Sequence, residues 1–322
     1  MAIENLIETL KILSDGNSYS GEEIGKRLGI GRAAIWKIIS QLREKGLQIE
    51  SVKGQGYKLL DNVEMLDENT IKADLKDNSF DEIITLNQTA STNSYLSSQF
   101  TDSTKNLACI AENQTGGRGR NNRSWISPFA RSIAMSVRWH FQTLPSGISG
   151  LSLAVGIAVA NAMHNIGIEN AMVKWPNDIY INNSKLAGIL IEISGEISGP
   201  CSVIIGIGIN LQLTEEEKSQ IDQSCTAIYE HTQQRIGRNR IIAELLNSIA
   251  AVMSIFADKG FSSLLTQWQK YDLLKNREVT LITHNNQENG VALGVSKDGA
   301  LQVTVNGEER LFYSGDVSLR LK

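Results

Sequence analysis

A chain of 322 residues with 41% hydrophobic and 20% charged residues has room for two or three domains and the composition of an ordinary globular protein. Its formal net charge of -4 excludes a coat of basic charge, so any nucleic-acid binding must sit in a local patch. Cys109, Cys201 and Cys225 are odd in number and far apart, which argues against a disulfide framework and fits a reducing cytoplasm. His140, His164, His231 and His284 show no ligand spacing, so no structural zinc is expected. Glu4 and Glu8 interrupt the N-terminus too early for a signal peptide. The most apolar run, Ile148 to Met163, is shorter than a bilayer span requires and reads as a buried core helix, with His164 packing or exposed at its end. No membrane partner is expected.

Residues 1–62 open with Ile3, Leu6, Ile7, Leu10 and Leu13 at helical spacing. After the turn Asp15-Gly16-Asn17, Ser20 and Glu23 stand three apart, the capping-box arrangement that starts a helix. That helix ends at Gly29, and Gly29-Ile30-Gly31 leads into a third with Ala33, Ala34, Ile35, Ile38, Ile39 and Leu42 on its apolar side. Two short helices joined by a glycine turn read as helix-turn-helix, the second being the one that enters a major groove. Two strand-like runs follow, Leu47 to Val52 and Tyr57 to Leu60, joined by Lys53-Gly54-Gln55-Gly56. A lysine at the tip of such a wing suits phosphate. Gly21, Arg32, Ala33, Ala34, Trp36, Lys37, Ser40 and Lys53 are the candidate DNA-binding residues. The stretch is only weakly positive, so weak binding by one copy and a dimer on two half-sites are expected. A three-helix packing module would share the helices and a solvated basic face; the agreement of helix, turn and wing favours DNA.

Residues 63–270 read as a mixed α/β unit. A strand at Ile83 to Leu86 leads to Ser91-Thr92-Asn93 and a polar helix from Ser94 to Phe100. These hydroxyls either cap the helix or hold an uncharged ligand head. A strand from Leu107 to Glu112 delivers the chain to Gln114-Thr115-Gly116-Gly117-Arg118-Gly119-Arg120-Asn121-Asn122-Arg123-Ser124-Trp125. Glycines free this backbone, and the guanidinium forks suit carboxylate and phosphate oxygens. No Gly-Lys-Ser/Thr closes the loop, and no third glycine follows Gly117 and Gly119 at dinucleotide spacing. It joins two strands, since Ser132 to Trp139 alternates. Its single occurrence there argues against a flexible RNA-binding segment.

Next come Val173-Lys174-Trp175-Pro176-Asn177-Asp178-Ile179-Tyr180-Ile181, the turn Asn182-Asn183, and a strand from Ser184 to Ile193. Proline at 176 holds Trp175 extended. A two-residue turn pairs Tyr180 with Lys185, which puts Asp178, Tyr180 and Lys185 on one face. Lys185 then either has an anionic partner or carries its amine into water. In the strand Cys201 to Ile209, Gly206 and Gly208 mark a close approach, and Asn210 closes it. An amphipathic helix spans Ile241 to Phe256, with Trp268 and Tyr271 expected beneath it. Residues 271–322 read as a small β-barrel of four strands, Val279 to Thr283, Gly290 to Ser296, Ala300 to Asn306 and Glu308 to Tyr313. Its hairpin signals are Asn289-Gly290, Asp298-Gly299 and Asn306-Gly307. A unit this small is expected to dock on the central domain.

Taken in order, these motifs make the chain resemble the biotin–protein ligases, in the bifunctional group that is also the biotin operon repressor. The resemblance runs nearly the whole length. It rests on Ser91-Thr92-Asn93, Gly117-Arg118-Gly119-Arg120 with Arg123 and Trp125, Lys174-Trp175-Pro176-Asn177-Asp178, Lys185-Leu186-Ala187-Gly188 and Gly206-Ile207-Gly208-Ile209-Asn210. It implies an α+β protein: a winged helix-turn-helix, a central mixed α/β catalytic domain of the class II synthetase-like biotin ligase type, and a small C-terminal β-barrel. It implies that biotin and ATP, with Mg²⁺, form an acyl-adenylate that a lysine of the biotin carboxyl carrier protein of acetyl-CoA carboxylase then attacks. By the same resemblance Ser91, Thr92, Asn93, Gln114, Gly117, Arg118, Gly119, Arg120, Lys185, Gly188 and Gly206 would hold biotin. Arg120, Arg123, Trp125, Lys174, Asn177, Asp178, Lys185 and Asn210 would hold ATP. Lys185, Arg118 and Arg120 would carry the catalysis, with no protein-bound metal. Operator DNA and a homodimer formed with adenylate complete the implied partners.

The family's loop usually has a basic or apolar residue and a glycine before its last arginine; Asn121-Asn122 stands here, and weaker retention of the adenylate is expected. The competing readings are a lipoate or octanoate ligase with a vestigial N-terminal domain, and a biotin-sensing regulator without activity.

Overall fold

A computed structural model describes residues 3–120, 123–142, 148–195, 200–282, 287–314 and 317–321. Asn121-Asn122, Thr283 and His284 lie outside the described residues.

The first helix, α1 (Ile3–Leu13), buries Leu6, Ile7, Leu10 and Leu13. Strand β1 (Ser18–Tyr19) was not expected; it pairs with the wing. In front of α2 (Gly21–Leu28) the capping box forms, with Glu23 N donating to Ser20 Oγ at 3.1 Å and Ser20 N donating to Glu23 Oε2 at 2.7 Å. Gly29 ends α2 in the left-handed region at φ 68°, where a Cβ would be strained. Helix α3 (Arg32–Glu44) buries Ile35, Ile38, Ile39 and Leu42. Ala33, expected on that stripe, is exposed. Strands β2 (Ile49–Val52) and β3 (Gly56–Leu59) form the wing.

The connection to the central unit is pinned. Glu112 accepts from Leu66 N at 2.5 Å, and Asn239 accepts from Asp67 N at 3.0 Å. Arg238 holds the other Glu112 oxygen at 2.5 Å, with side chains 0% and 4% exposed. Two fully withdrawn charges are tolerable only because each is paired and hydrogen-bonded.

The central elements are α4 (Glu68–Ala73), β4 (Glu82–Leu86), α5 (Thr92–Gln99), β5 (Leu107–Ala111), β6 (Ser132–Phe141), α6 (Leu151–Asn165), β7 (Met172–Lys174), β8 (Asp178–Ile181), β9 (Ser184–Gly195), β10 (Cys201–Asn210), α7 (Glu215–Ser219), α8 (Arg238–Lys259) and α9 (Leu265–Tyr271). The strands form one sheet in the order β4-β5-β6-β10-β9-β8-β7. Among the described strand pairs of this sheet, β4 and β5 alone run parallel. Alternation along β10 sorts its faces: Val203, Ile205, Ile207 and Ile209 join the core beneath α6 and α8. Ile204, Gly206, Gly208 and Asn210 therefore face the other way. Helix α8 is long and apolar enough to cross a membrane by length and composition, and most of it is buried in this core. Trp268 and Tyr271 pack on the α6 side, where Tyr271 Oη donates to Asn161 at 2.6 Å and the Trp268 ring meets Phe261 edge-on.

Among the described residues five C-terminal strands, one more than expected, are β11 (Glu278–Ile282), β12 (Gln287–Val295), β13 (Leu301–Val305), β14 (Glu308–Phe312) and β15 (Ser318–Leu321). They pair antiparallel in the order β14-β13-β12-β11-β15. Turns do form at Asp298-Gly299 and Asn306-Gly307. Asn289-Gly290 lies within β12, opposite Thr280 and Val279, and is no turn. This sheet docks on the central unit, with Trp175 Nε1 donating to Gly299 O at 3.0 Å.

Candidate functional site

The site lies on the sheet face opposite α6 and α8. Ser91 caps α5 through Ser94 N at 3.4 Å. Capping leaves the next two side chains for other work. Thr92 donates to Gln114 Oε1 from its amide (3.0 Å) and its hydroxyl (3.2 Å). The Thr92 hydroxyl also meets Ser136 Oγ at 2.6 Å, and Ser136 donates to Asn93 Oδ1 at 2.6 Å. Asn93 Nδ2 donates to Glu192 Oε2 at 2.8 Å, and Arg118 pairs with Glu192 Oε1 at 2.9 Å. A polar chain thus runs from Gln114 to Arg118 over Gly206, where a Cβ would run into Asn93 Oδ1. Ser136 and Glu192 were not singled out from the sequence. Only the period of two along β6 and β9 hinted that both avoid the core face.

The basic loop folds back on itself. Trp125 N donates to Gly117 O at 2.9 Å, Gly119 N donates to Arg123 O at 2.7 Å, and Arg118 bridges Ser124. This brings Trp125 over the sheet. A Cβ at Gly208 would stand 2.5 Å from the indole Cε2, and one at Gly188 would stand 3.2 Å from Cζ3. The glycines in β9 and β10 therefore make room for Asn93 and Trp125 as well as for any ligand. Trp125 Nε1 is buried with no protein acceptor among the described residues. Arg120 turns inward and donates to Asn177 Oδ1 at 3.3 Å, while Asn177 Nδ2 donates to Ile189 O at 2.7 Å. Arg123 is exposed and stands outside this cluster. Asn210 is buried and donates to Thr226 O at 3.0 Å.

The β8–β9 hairpin has the expected register: Tyr180 pairs with Lys185 across Asn182 and Asn183, both at positive φ. Leu186 bulges between the next pairs, so Asp178 faces Gly188. Lys185 Nζ sits 2.8 Å from Asp178 Oδ1 and 5.6 Å from the Trp125 ring centroid. Lys174 Nζ lies 3.4 Å from Tyr180 Oη and 4.9 Å from its ring centroid. Burial lowers the Lys174 pKa; Asp178 opposes the shift and Lys185 adds to it. Burial likewise lowers the pKa of Arg120 against the pull of Asp178, and raises that of Tyr180. Three cations, Lys174, Lys185 and Arg120, thus gather around one carboxylate. Half-buried positive charge in excess suits an anionic ligand with several oxygens.

In the N-terminal unit Arg32, Ala33, Trp36 and Lys37 are exposed on α3, and Lys53 is exposed at the wing tip. Ala34 and Ser40 are half-buried, with Ser40 Oγ donating to Trp36 O at 3.0 Å. Gly21 is buried; a Cβ there would meet Arg32 Cγ at 3.4 Å and Tyr57 at 3.5 Å.

The chain is 35% identical to the bifunctional ligase/repressor BirA of Escherichia coli strain K12, over 98% of this chain and 97% of that protein. It belongs to the bifunctional ligase/repressor family. The family relative from Bacillus subtilis strain 168 is 29% identical over 94% of this chain and 95% of its own. Residues 5–58 match an HTH domain, 85–210 the Biotin/lipoate A/B protein ligase family, and 276–320 the Biotin protein ligase C terminal domain. A biotin protein ligase from Aquifex aeolicus, solved in complex with biotin and ATP, is 27% identical with a TM-score of 0.65, covering 76% of this chain and all of that one. Family membership thus unites the two faces just described, the cationic hairpin and the exposed face of α3.

Proposed function

We propose that this chain is an ATP-dependent biotin–protein ligase and an adenylate-responsive repressor of biotin synthesis genes. The observation that carries the ligase half is Lys185 against Asp178 with Lys174 and Arg120 beside them. In the first step a biotin carboxylate oxygen attacks the α-phosphorus of ATP, the α–β bridging bond breaks, and pyrophosphate leaves. In the second a lysine amine of the biotin carboxyl carrier protein attacks the acyl carbon, AMP leaves, and the amine's proton passes to solvent. Both transition states gather negative charge on phosphoryl or carbonyl oxygens, where fixed cations act most strongly. Lys185 bridges the carboxylate and α-phosphate, and Asp178 holds its ammonium in place until they arrive. Arg118 and Arg120 close the loop over the adenylate, and Arg123 meets the outer phosphates. Ser91, Thr92, Asn93, Gln114 and the backbone at Gly117, Gly119, Gly188 and Gly206 hold biotin. Trp125, Lys174, Asn177 and Asn210 line the nucleotide side, where the buried Trp125 N–H awaits an acceptor.

Mg²⁺, carried mainly by the ATP oxygens, would supply charge neutralisation at the phosphates. Among the described residues no three His, Cys, Asp or Glu side chains gather into a metal cage. Operator binding belongs to α3 and the wing, within residues 1–62; catalysis to 63–270; the remainder, 271–322, supports ATP and carrier recognition. Beyond Gly188, β9 outruns β8, which supports homodimerisation or carrier docking by strand addition at that edge. Three free cysteines support a cytoplasmic location. Pyrophosphate exchange into ATP, measured with biotin and then with lipoate, tests the ligase half. Exchange driven by lipoate and not by biotin would replace it with the acyl-ligase alternative. Tighter DNA binding when biotin and ATP are both present tests the repressor half.

A further inference from the structure

The repressor reading leaves open how sequence is read. The exposed face of α3 carries two cations, Arg32 and Lys37, and between them Trp36, which is 60% exposed and the most exposed large hydrophobic side chain among the described residues. Its neighbours on the opposite stripe, Ile35, Ile38 and Ile39, are fixed in the N-terminal core. The indole is therefore held away from the protein. Cations bring α3 and the wing to phosphates, which are the same in every sequence, and on base edges they favour guanine. The Ser40 hydroxyl is turned onto its own helix, donating to Trp36 O, so it is a poor reader of base edges. That leaves an apolar surface in the middle of the face, the small Ala33 methyl and the much broader Trp36 indole three residues on. Among the groups that base pairs present in the major groove, one is apolar: the 5-methyl of thymine.

We propose that Trp36 reads a thymine methyl in the major groove and so sets base preference at one position of each half-site. This rests on the repressor reading. A pool of random duplexes is enriched by repeated binding to the full chain with biotin and ATP present. Each thymine of the enriched duplex is then replaced singly by deoxyuridine, which removes the methyl alone. At one thymine per half-site the wild-type chain should lose about fourfold in affinity, the factor for withdrawing one methyl-sized group from an apolar contact. Trp36→Ala should not respond at that position, and Trp36→Phe should keep the response. If Trp36→Ala fails to match wild type in thermal unfolding, Trp36→Gln, whose unbranched stem still covers the helix surface that Ala leaves bare, takes its place. A methyl effect of equal size in wild type and Trp36→Ala overturns the inference, as does no methyl effect at any thymine. So does a Trp36→Ala defect confined to self-association, which would make the indole a contact between copies. Failure to enrich any sequence removes the repressor reading and this inference together; enrichment without a Trp36-dependent methyl effect removes only this inference.

Discussion

The Lys185 ammonium on β9 reaches Asp178 on β8, two positions along from its own cross-strand partner Tyr180, with Nζ 2.8 Å from Oδ1 and side chains only 14% and 20% exposed. The pair holds the lysine side chain in place before any ligand arrives. Lys185→Ala should lower biotin-dependent pyrophosphate exchange by about 10²- to 10³-fold, the usual loss for one transition-state donor. Asp178→Asn leaves Lys174, Lys185 and Arg120 without their carboxylate. Its melting temperature should fall, and biotin with ATP should raise it by more than in wild type, because the ligand phosphates then replace the missing charge. A thermal shift series with both ligands checks this; equal ligand shifts in the two chains would rule it out.

Gly206 and Gly208 sit two residues apart on β10 and make room for different side chains. A methyl at 206 meets Asn93 Oδ1, and one at 208 meets the Trp125 indole at 2.5 Å. Gly206→Ala should therefore raise KM for biotin at least about tenfold while changing KM for ATP little; Gly208→Ala should do the reverse. That factor corresponds to about 1.4 kcal/mol, a modest overpacking cost. Initial-rate kinetics with each substrate varied in turn decide it. Matching effects of both variants on both substrates would contradict the division of the face.

Arg131 joins the two larger units. Its side chain is 1% exposed, pairs with Glu217 Oε1 at 2.6 Å, and donates to Lys45 O at 3.1 Å. The preceding Phe129 and Ala130 are packed in the N-terminal core. Glu217→Ala strands a buried guanidinium and should cost about 3–5 kcal/mol. Gly46 has φ +83°, and a Cβ there would collide with Arg131 Nη2, so Gly46→Ala is strained twice over. Urea unfolding of both variants, with proteolysis at the connection around Leu60 to Asp67, measures the loss of docking. Unchanged unfolding of Glu217→Ala would show that the pair is not holding the units together.

Burial pushes the Cys109 thiol up to about 12 from 9.0. The folded chain keeps this proton after the unfolded chain has released it. Above pH 9 the unfolded state binds fewer protons, so stability falls as pH rises towards 12, by at most about 1.4 kcal/mol per pH unit from this group. Between pH 8 and pH 10 the wild-type unfolding free energy should fall more steeply than that of Cys109→Ala. Urea titrations at the two pH values give both slopes, and parallel slopes would refute the assignment.

Much of the fold is legible in the sequence because it is encoded within a few residues. The spacing of Ser20 and Glu23 specified the start of α2. A two-residue Asn182-Asn183 turn, with left-handed backbone at both positions, specified that Tyr180 meets Lys185. Asn289-Gly290 misled for a related reason: a dipeptide suited to a turn also fits within a strand when close packing requires glycine. There a Cβ at Gly290 would stand 2.6 Å from Thr304 O on the next strand.

Local pattern therefore determined most of the longer elements, the hairpin register and the motifs that mark the ligase, but not short elements such as β1 and α7. Tertiary structure alone decided which side chains complete the site. Ser136 reaches Thr92 and Asn93 because β6 lies between β5 and β10. Glu192 meets Arg118 because the loop folds back over β9. Arg131 is buried because α7 and the N-terminal unit close on it from two sides. Turn chemistry and periodicity act over a few residues, whereas strand order and docking depend on contacts between segments far apart in the chain.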